Sequence, residues 1–145
     1  MTDSNHIPLK FNYRTQYALE KQYAEVKEYK EYSRTMGKYI VYSIEIKSAY
    51  KSELRDQIEG REPNIKIIDR RYSDFENLHN RLKELNKSLI LPALPPKTYL
   101  NLINMQEIDF AKKRAKELEI YLNKMLTNTE VCQQDDFIEF ISNVI

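Results

Sequence analysis

A chain of 145 residues, 41% hydrophobic and 31% charged, has the size of one globular domain and enough apolar surface to bury a core. A formal net charge of +1 excludes general electrostatic attraction to nucleic acid or anionic membrane as the basis of function, so affinity for an anion has to come from a local site. The single cysteine, Cys132, excludes an intrachain disulfide and suits a reducing cytosol, and no run approaches the ~20 apolar residues of a membrane span.

Met1 to Phe11 lacks an apolar run of the signal-peptide kind, so membrane contact is expected to be peripheral. Residues 1–20 are polar and read as a tail or a short extra helix. From Tyr23 to Tyr32 the apolar positions alternate poorly, and periodicity alone does not choose between helix and strand. Met36-Gly37-Lys38 reads as a turn. Lys38 to Ser48 then alternates, with Tyr39, Val41 and Ser43 on one face and Ile40, Tyr42, Ile44 and Ile46 on the other, which predicts a strand. Ala49 to Pro63 is charged, carries Gly60 and Pro63, and reads as a loop, with a helical turn inside it left open. Asn64 to Tyr72 is the next strand, led by Ile65, Ile67 and Ile68.

Ser73 or Asp74 is placed to cap a following helix, whose apolar face is Phe75, Leu78, Leu82 and Leu85. Pro92, Pro95 and Pro96 forbid helix and favour an extended path. A second helix is predicted from about Glu107 to Leu126 and a short one from Asp135 to Ile145. The expected class is α+β: a three-stranded antiparallel sheet packed against a helical subdomain, with a proline-rich turn between helices.

Charge is unevenly spread along the chain. Residues 70–124 hold 11 Lys/Arg against 7 Asp/Glu, whereas residues 125–145 hold no Lys/Arg and 4 Asp/Glu. The basic excess contains two motifs. Arg70-Arg71-Tyr72-Ser73-Asp74-Phe75 closes a strand and opens a helix, and a guanidinium beside an aromatic ring can clamp a phosphate and stack on a sugar-like ring. Leu91-Pro92-Ala93-Leu94-Pro95-Pro96-Lys97 is a stiff turn that can bring a second cation to the same ligand. A third cation follows from helix geometry. With Ile108, Ala111, Ala115, Leu118, Leu122 and Met125 as the buried stripe, Arg114 lies roughly 70° from its centre, nearer the domain body than Lys112, Lys113 or Lys116.

Both motifs, in this order and followed by a Lys/Arg-rich helix, resemble the phox-homology (PX) domain, a phosphoinositide-binding module of sorting nexins and related trafficking proteins. The resemblance covers roughly residues 23–145 and leaves 1–22 as an N-terminal extension; it places the first strand near Tyr23–Tyr32. It implies that Arg71 binds the 3-phosphate of an inositol ring, that Tyr72 packs on the ring face, that Lys97 meets the 1-phosphate, and that Arg114 serves the ring hydroxyls. Arg70 is then a solvated or structural neighbour. Tyr99, Leu100, Leu102 and Ile103 fall where family members dip into the bilayer, although so apolar a loop could instead be core cover. The implied function is non-enzymatic recognition of phosphatidylinositol 3-phosphate on the cytosolic face of endosomal membranes, in sorting or vesicle trafficking. Trafficking-complex proteins are possible partners, and neither nucleic acid nor a cofactor is expected.

A rival reading takes Pro92-x-x-Pro95-x-Lys97 as a polyproline ligand for a Src-homology 3 domain. Catalysis has little to build on. His6 and His79 are the only histidines, His79 reads as a packing residue, Cys132 as a buried or half-buried thiol, and no cluster has metal-ligand spacing.

Overall fold

The computed structural model describes residues 19–35, 37–50, 64–97 and 107–142. Three strands, β1 (Leu19–Arg34), β2 (Gly37–Tyr50) and β3 (Asn64–Arg71), form an antiparallel meander in the order β1-β2-β3. Among the described residues four helices follow: α1 (Tyr72–Leu85), α2 (Glu107–Leu126), α3 (Thr129–Cys132) and α4 (Asp135–Ser142). The predicted α+β class and strand meander hold. β1 starts at Leu19, inside the stretch read as an extension, and runs 16 residues.

The weak alternation of β1 has a structural cause. Val26 pairs with Ile44 and Glu28 with Ser43, so Lys27 is an extra residue in the ladder. Such a bulge flips the phase of every later side chain. Ala24 and Val26 face the core before it, whereas Tyr29 does so after it, on the opposite parity. Neither half is long enough to declare itself as a period of two.

β2 alternates without interruption, and Tyr42, Ile44, Ile46 and Ser48 are buried. On β3 the inward positions are Ile68 and Arg70, while Ile65 and Ile67 lie on the exposed face. The free edge of β1 is covered by α2. Asn123 Oδ1 accepts from the Ala24 N–H at 2.7 Å, its amide nitrogen donates to the Ala24 carbonyl at 2.9 Å, and Glu119 Oε1 accepts from the Val26 N–H at 2.9 Å. Helix side chains thus stand in for a missing fourth strand.

The inner sheet face, Phe75, Leu78 and Leu82 of α1, Leu118, Tyr121, Leu122 and Met125 of α2, and Phe137 and Phe140 of α4 share one core. α1 begins two residues earlier than the predicted caps allow. Arg71 is its N-cap, and Asp74, three residues in, reaches back so that its carboxylate accepts from the Arg71 N–H at 2.8 Å. Neither Ser73 nor Asp74 is the cap residue, because the strand runs into the helix with no intervening turn. α3, not anticipated from sequence, is one turn capped by the Asn128 side chain, which accepts from the Glu130 and Val131 N–H groups.

Between α1 and α2, residues 86–97 form an extended segment that returns along the body. Leu91 and Leu94 pack on the core, and Pro95 is buried. This segment, the β3–α1 junction and the first half of α2 converge at one end of the molecule.

Candidate phosphate-binding site

At that junction two adjacent arginines part ways. Tyr42 pairs with Arg70 on the inner face of the sheet, and Val41 pairs with Arg71 on the outer face. Arg70 is buried; its guanidinium donates to the Phe140 carbonyl at 2.6 Å and the Asp69 carbonyl at 2.8 Å, and it stacks over the Phe140 ring at 5.0 Å. Burial pulls its pKa below the usual arginine value, with Asp74 and Asp69 opposing. This is a structural cation tying β3 to α4.

Arg71 is built differently. Its Cζ lies 4.2 Å from the centre of the Tyr39 ring, and its Nε is buried with no hydrogen-bond partner. Among the described residues no acceptor takes a hydrogen bond from this guanidinium. A buried donor left unsatisfied costs roughly 1–3 kcal/mol unless a ligand supplies the acceptor. The arrangement suits an oxyanion.

Tyr72, the first residue of α1, ties this corner to the proline segment: its hydroxyl donates to the Pro95 carbonyl at 2.6 Å. Burial raises its pKa above the ordinary tyrosine value against the opposing charge of Arg114, so the hydroxyl stays protonated and donating. Arg114 projects from the third turn of α2 and is buried, as its angle on the helix predicts. Its guanidinium lies between two rings, 4.0 Å from the centre of Tyr72 and 4.6 Å from that of Phe110. One terminal nitrogen donates to the Pro96 carbonyl at 2.8 Å and also to the Lys97 carbonyl. Arg114 therefore holds the proline turn as well as bringing charge to it. Lys97 enters this network through its carbonyl, and the residue itself is exposed.

The fold thus brings together Arg71, Tyr72, Arg114 and Lys97. Tyr99, Leu100, Leu102 and Ile103 lie outside the described residues. Two ring partners, Tyr39 and Phe110, escaped the sequence reading. Phe110 sits four residues before Arg114, the spacing at which helix side chains meet, so it was open to inference. Tyr39 contacts Arg71 only through strand register, which no local pattern carries.

The carbonyls of Pro95, Pro96 and Lys97 all accept hydrogen bonds from the domain's own side chains, and Pro95 is buried. A turn so embedded is poorly offered to a Src-homology 3 groove. A separate groove of about 350 Å³ lies beside Arg70 between α1 and α4. Its carboxylates, Asp69, Asp74, Asp136 and Glu139, outnumber Arg70 and Arg81, and the Arg81 guanidinium is already paired with Asp136 at 2.9 Å. A phosphate is repelled there.

Cys132 is half-buried, its Sγ 3.4 Å from the Leu126 carbonyl, and burial pushes its pKa up, away from reactive thiolate. Among the described residues no group of three or more His, Cys, Asp or Glu is placed to hold a metal, and no helix is long and apolar enough to cross a membrane.

An outward arginine at a strand–helix junction, an aromatic neighbour and a proline turn clamped by a second arginine define an anion-binding module. Residues 58–143 match the PX domain, and the chain belongs to that family. PX domains are generally non-enzymatic modules that bind phosphoinositides in membranes. The chain is 31% identical over 97 residues to sorting nexin-4 of Eremothecium gossypii, covering 67% of this chain and 23% of that protein. It is 34% identical over 76 residues to sorting nexin 1 of Arabidopsis thaliana, covering 52% and 19%. It is 27% identical over 125 residues to human sorting nexin-7, covering 86% and 30%. The chain thus spans less than a third of the length of these relatives.

Among solved structures, a designed CISK-PX domain superposes with a TM-score of 0.59 at 20% identity, covering 81% of this chain and 95% of that one. The mouse SNX19 PX domain with bound sulphate ion gives 0.59 at 18% identity, covering 86% and 98%. At such identities these likenesses concern the fold.

Proposed function

We propose that this domain reads phosphatidylinositol 3-phosphate on endosomal membranes and acts, without catalysis, in endosomal sorting or vesicle trafficking. The observation that carries the reading is the Arg71 guanidinium, with its buried Nε and no acceptor for it among the described residues. The 3-phosphate would complete it with charge-assisted hydrogen bonds. Tyr72 offers its ring to the inositol, and the Lys97 ammonium, on a turn held by Arg114 and Tyr72, meets the phosphate that links headgroup to glycerol. That the mouse SNX19 PX domain was crystallised with a bound sulphate agrees with oxyanion affinity in this fold.

Preference for the 3-monophosphate has a physical rationale. Ring hydroxyls near Arg114 can donate to the carbonyl-lined turn of Pro96 and Lys97, whereas a phosphate in their place would face those carbonyl oxygens. Tyr99, Leu100, Leu102 and Ile103 would add apolar insertion beside the pocket. Similarity to sorting nexins supports the trafficking role, with trafficking-complex proteins as partners.

The test is vesicle sedimentation across all phosphoinositides at equal mole fraction. The expected result is strongest binding to phosphatidylinositol 3-phosphate. A clear preference for the 4,5-bisphosphate contradicts the specificity, and equal binding to vesicles without any phosphoinositide contradicts the function.

A further inference from the structure

The closed end of the β1–β2 hairpin carries a cation that the reading above leaves unused. Register pairs Arg34 with Gly37 and Tyr32 with Tyr39, and on the next ladder Val41 with Arg71. Strand alternation then puts Arg34, Tyr39, Val41 and Arg71 on one face of the sheet. Tyr39 sits between the two arginines. Its ring stacks on Tyr32, with centroids 5.4 Å apart and planes within 16°, which holds it in place.

Arg71 Cζ lies 4.2 Å and Arg34 Cζ 4.9 Å from the centre of that same ring. The two guanidinium carbons are therefore no more than about 9 Å apart. A phosphate bound side-on to a guanidinium places its phosphorus about 4 Å from Cζ, given hydrogen bonds of ordinary charge-assisted length. Two guanidinium carbons that share one phosphate stand about 8 Å apart, so a phosphate seated at the edge of the Tyr39 ring is within reach of both once the exposed Arg34 side chain swings toward it.

Among the described residues no carboxylate pairs with either guanidinium. Lys38, next on the chain, is held by Glu31 at 3.7 Å. Two like charges sharing a ring and lacking a counter-ion repel each other, and an anion between them turns that repulsion into attraction. Gly37, opposite Arg34, leaves room for it: a Cβ there would meet nothing within 4 Å, and its φ of +130° favours glycine.

We propose that Arg34 is a second ligand of the phosphate bound by Arg71, so that the hairpin closes over the anion. The inference rests on the phosphoinositide reading and deepens it. The chemistry required is a terminal phosphate carrying up to two negative charges, whether on a lipid headgroup or as free phosphate.

The experiment titrates the wild type and the variants Arg34→Gln, Arg34→Lys and Arg71→Gln with three probes. These are water-soluble short-chain phosphatidylinositol 3-phosphate, inorganic phosphate, and phosphatidylcholine vesicles containing phosphatidylserine only. Melting temperature is recorded for each protein, and Arg34 is exposed, so folding should survive. The expected result is about tenfold weaker short-chain lipid binding for Arg34→Gln, partial recovery in Arg34→Lys, and an unchanged melting temperature. Inorganic phosphate binding as tightly as the short-chain lipid keeps the two-arginine clamp and assigns it to free phosphate.

If Arg34→Gln binds the short-chain lipid like the wild type while Arg71→Gln does not, the proposal falls and the phosphoinositide reading stands. A loss confined to the phosphatidylserine vesicles also overturns it, leaving Arg34 as general surface charge. If Arg71→Gln binds like the wild type, the phosphoinositide reading itself fails and the clamp with it.

Discussion

At the scale of single residues, the proposed function turns on a one-position alternation. Arg70 and Arg71 are chemically identical, and register sends one into the core and the other to the outer face. Arg70→Ala should leave lipid binding near the wild-type level and destabilise the fold, because the Phe140 carbonyl loses a charge-assisted donor. Such bonds are worth about 1.5–3 kcal/mol, so a fall of roughly 5 °C in melting temperature is expected for a domain of this size. His79 gives a second expectation. Its Nδ1 lies 2.8 Å from the Tyr121 hydroxyl. Burial, helped by the Lys83 charge, holds its pKa below the ordinary 6.5. As pH falls through about 6.5 the unfolded chain takes up a proton that the folded chain resists, so stability is full above that value and declines below it. Melting curves from about pH 7.5 to about pH 5 should show this slope, and His79→Gln should flatten it. From the sequence, the motif around Arg71 and the inward angle of Arg114 were legible because they depend on local spacing. The Tyr39 contact was not, since it needs β2 and β3 in register.

At the scale of elements, strong periodicity was readable and interrupted periodicity was not. β2 and α2 declare themselves because each presents one face throughout. β1 does not, because the bulge at Lys27 divides its pattern and its edge is satisfied by helix side chains far along the chain. Ile65 and Ile67 look like core and are exposed, while Arg70 on the same strand is buried. Here tertiary pairing overrides the expectation from hydrophobicity. Asn123→Ala tests the β1–α2 connection. It removes both partners of Ala24, the acceptor of its N–H and the donor to its carbonyl. The expected cost is about 2–4 kcal/mol at roughly one net hydrogen bond each plus the penalty of the orphaned groups. Urea unfolding should show a lower midpoint with little change in slope. An unchanged midpoint would mean that water replaces Asn123 at the β1 edge.

At the scale of the whole molecule, the candidate site is an end of the fold rather than a cavity within it. The strand–helix junction, the hairpin end, the proline turn and the first half of α2 converge there, and Tyr72 and Arg114 hold the turn in place before any ligand arrives. Preorganisation of this kind lowers the ordering cost of binding. For membranes, we expect Leu102→Asp with Ile103→Asp to cut vesicle binding at least tenfold, about 1.4 kcal/mol, and to leave binding of a short-chain soluble lipid nearly unchanged. Loss of both together, with a lower melting temperature, would assign that loop to core cover. The central claim is that Arg71 receives the 3-phosphate. Calorimetric titration of short-chain phosphatidylinositol 3-phosphate into wild type and Arg71→Ala tests it most directly. The account predicts saturable binding by the wild type and a loss of about 30-fold or more in the variant, on the order of 2–5 kcal/mol, with an unchanged melting temperature. Equal affinity of the two proteins for the lipid would contradict it.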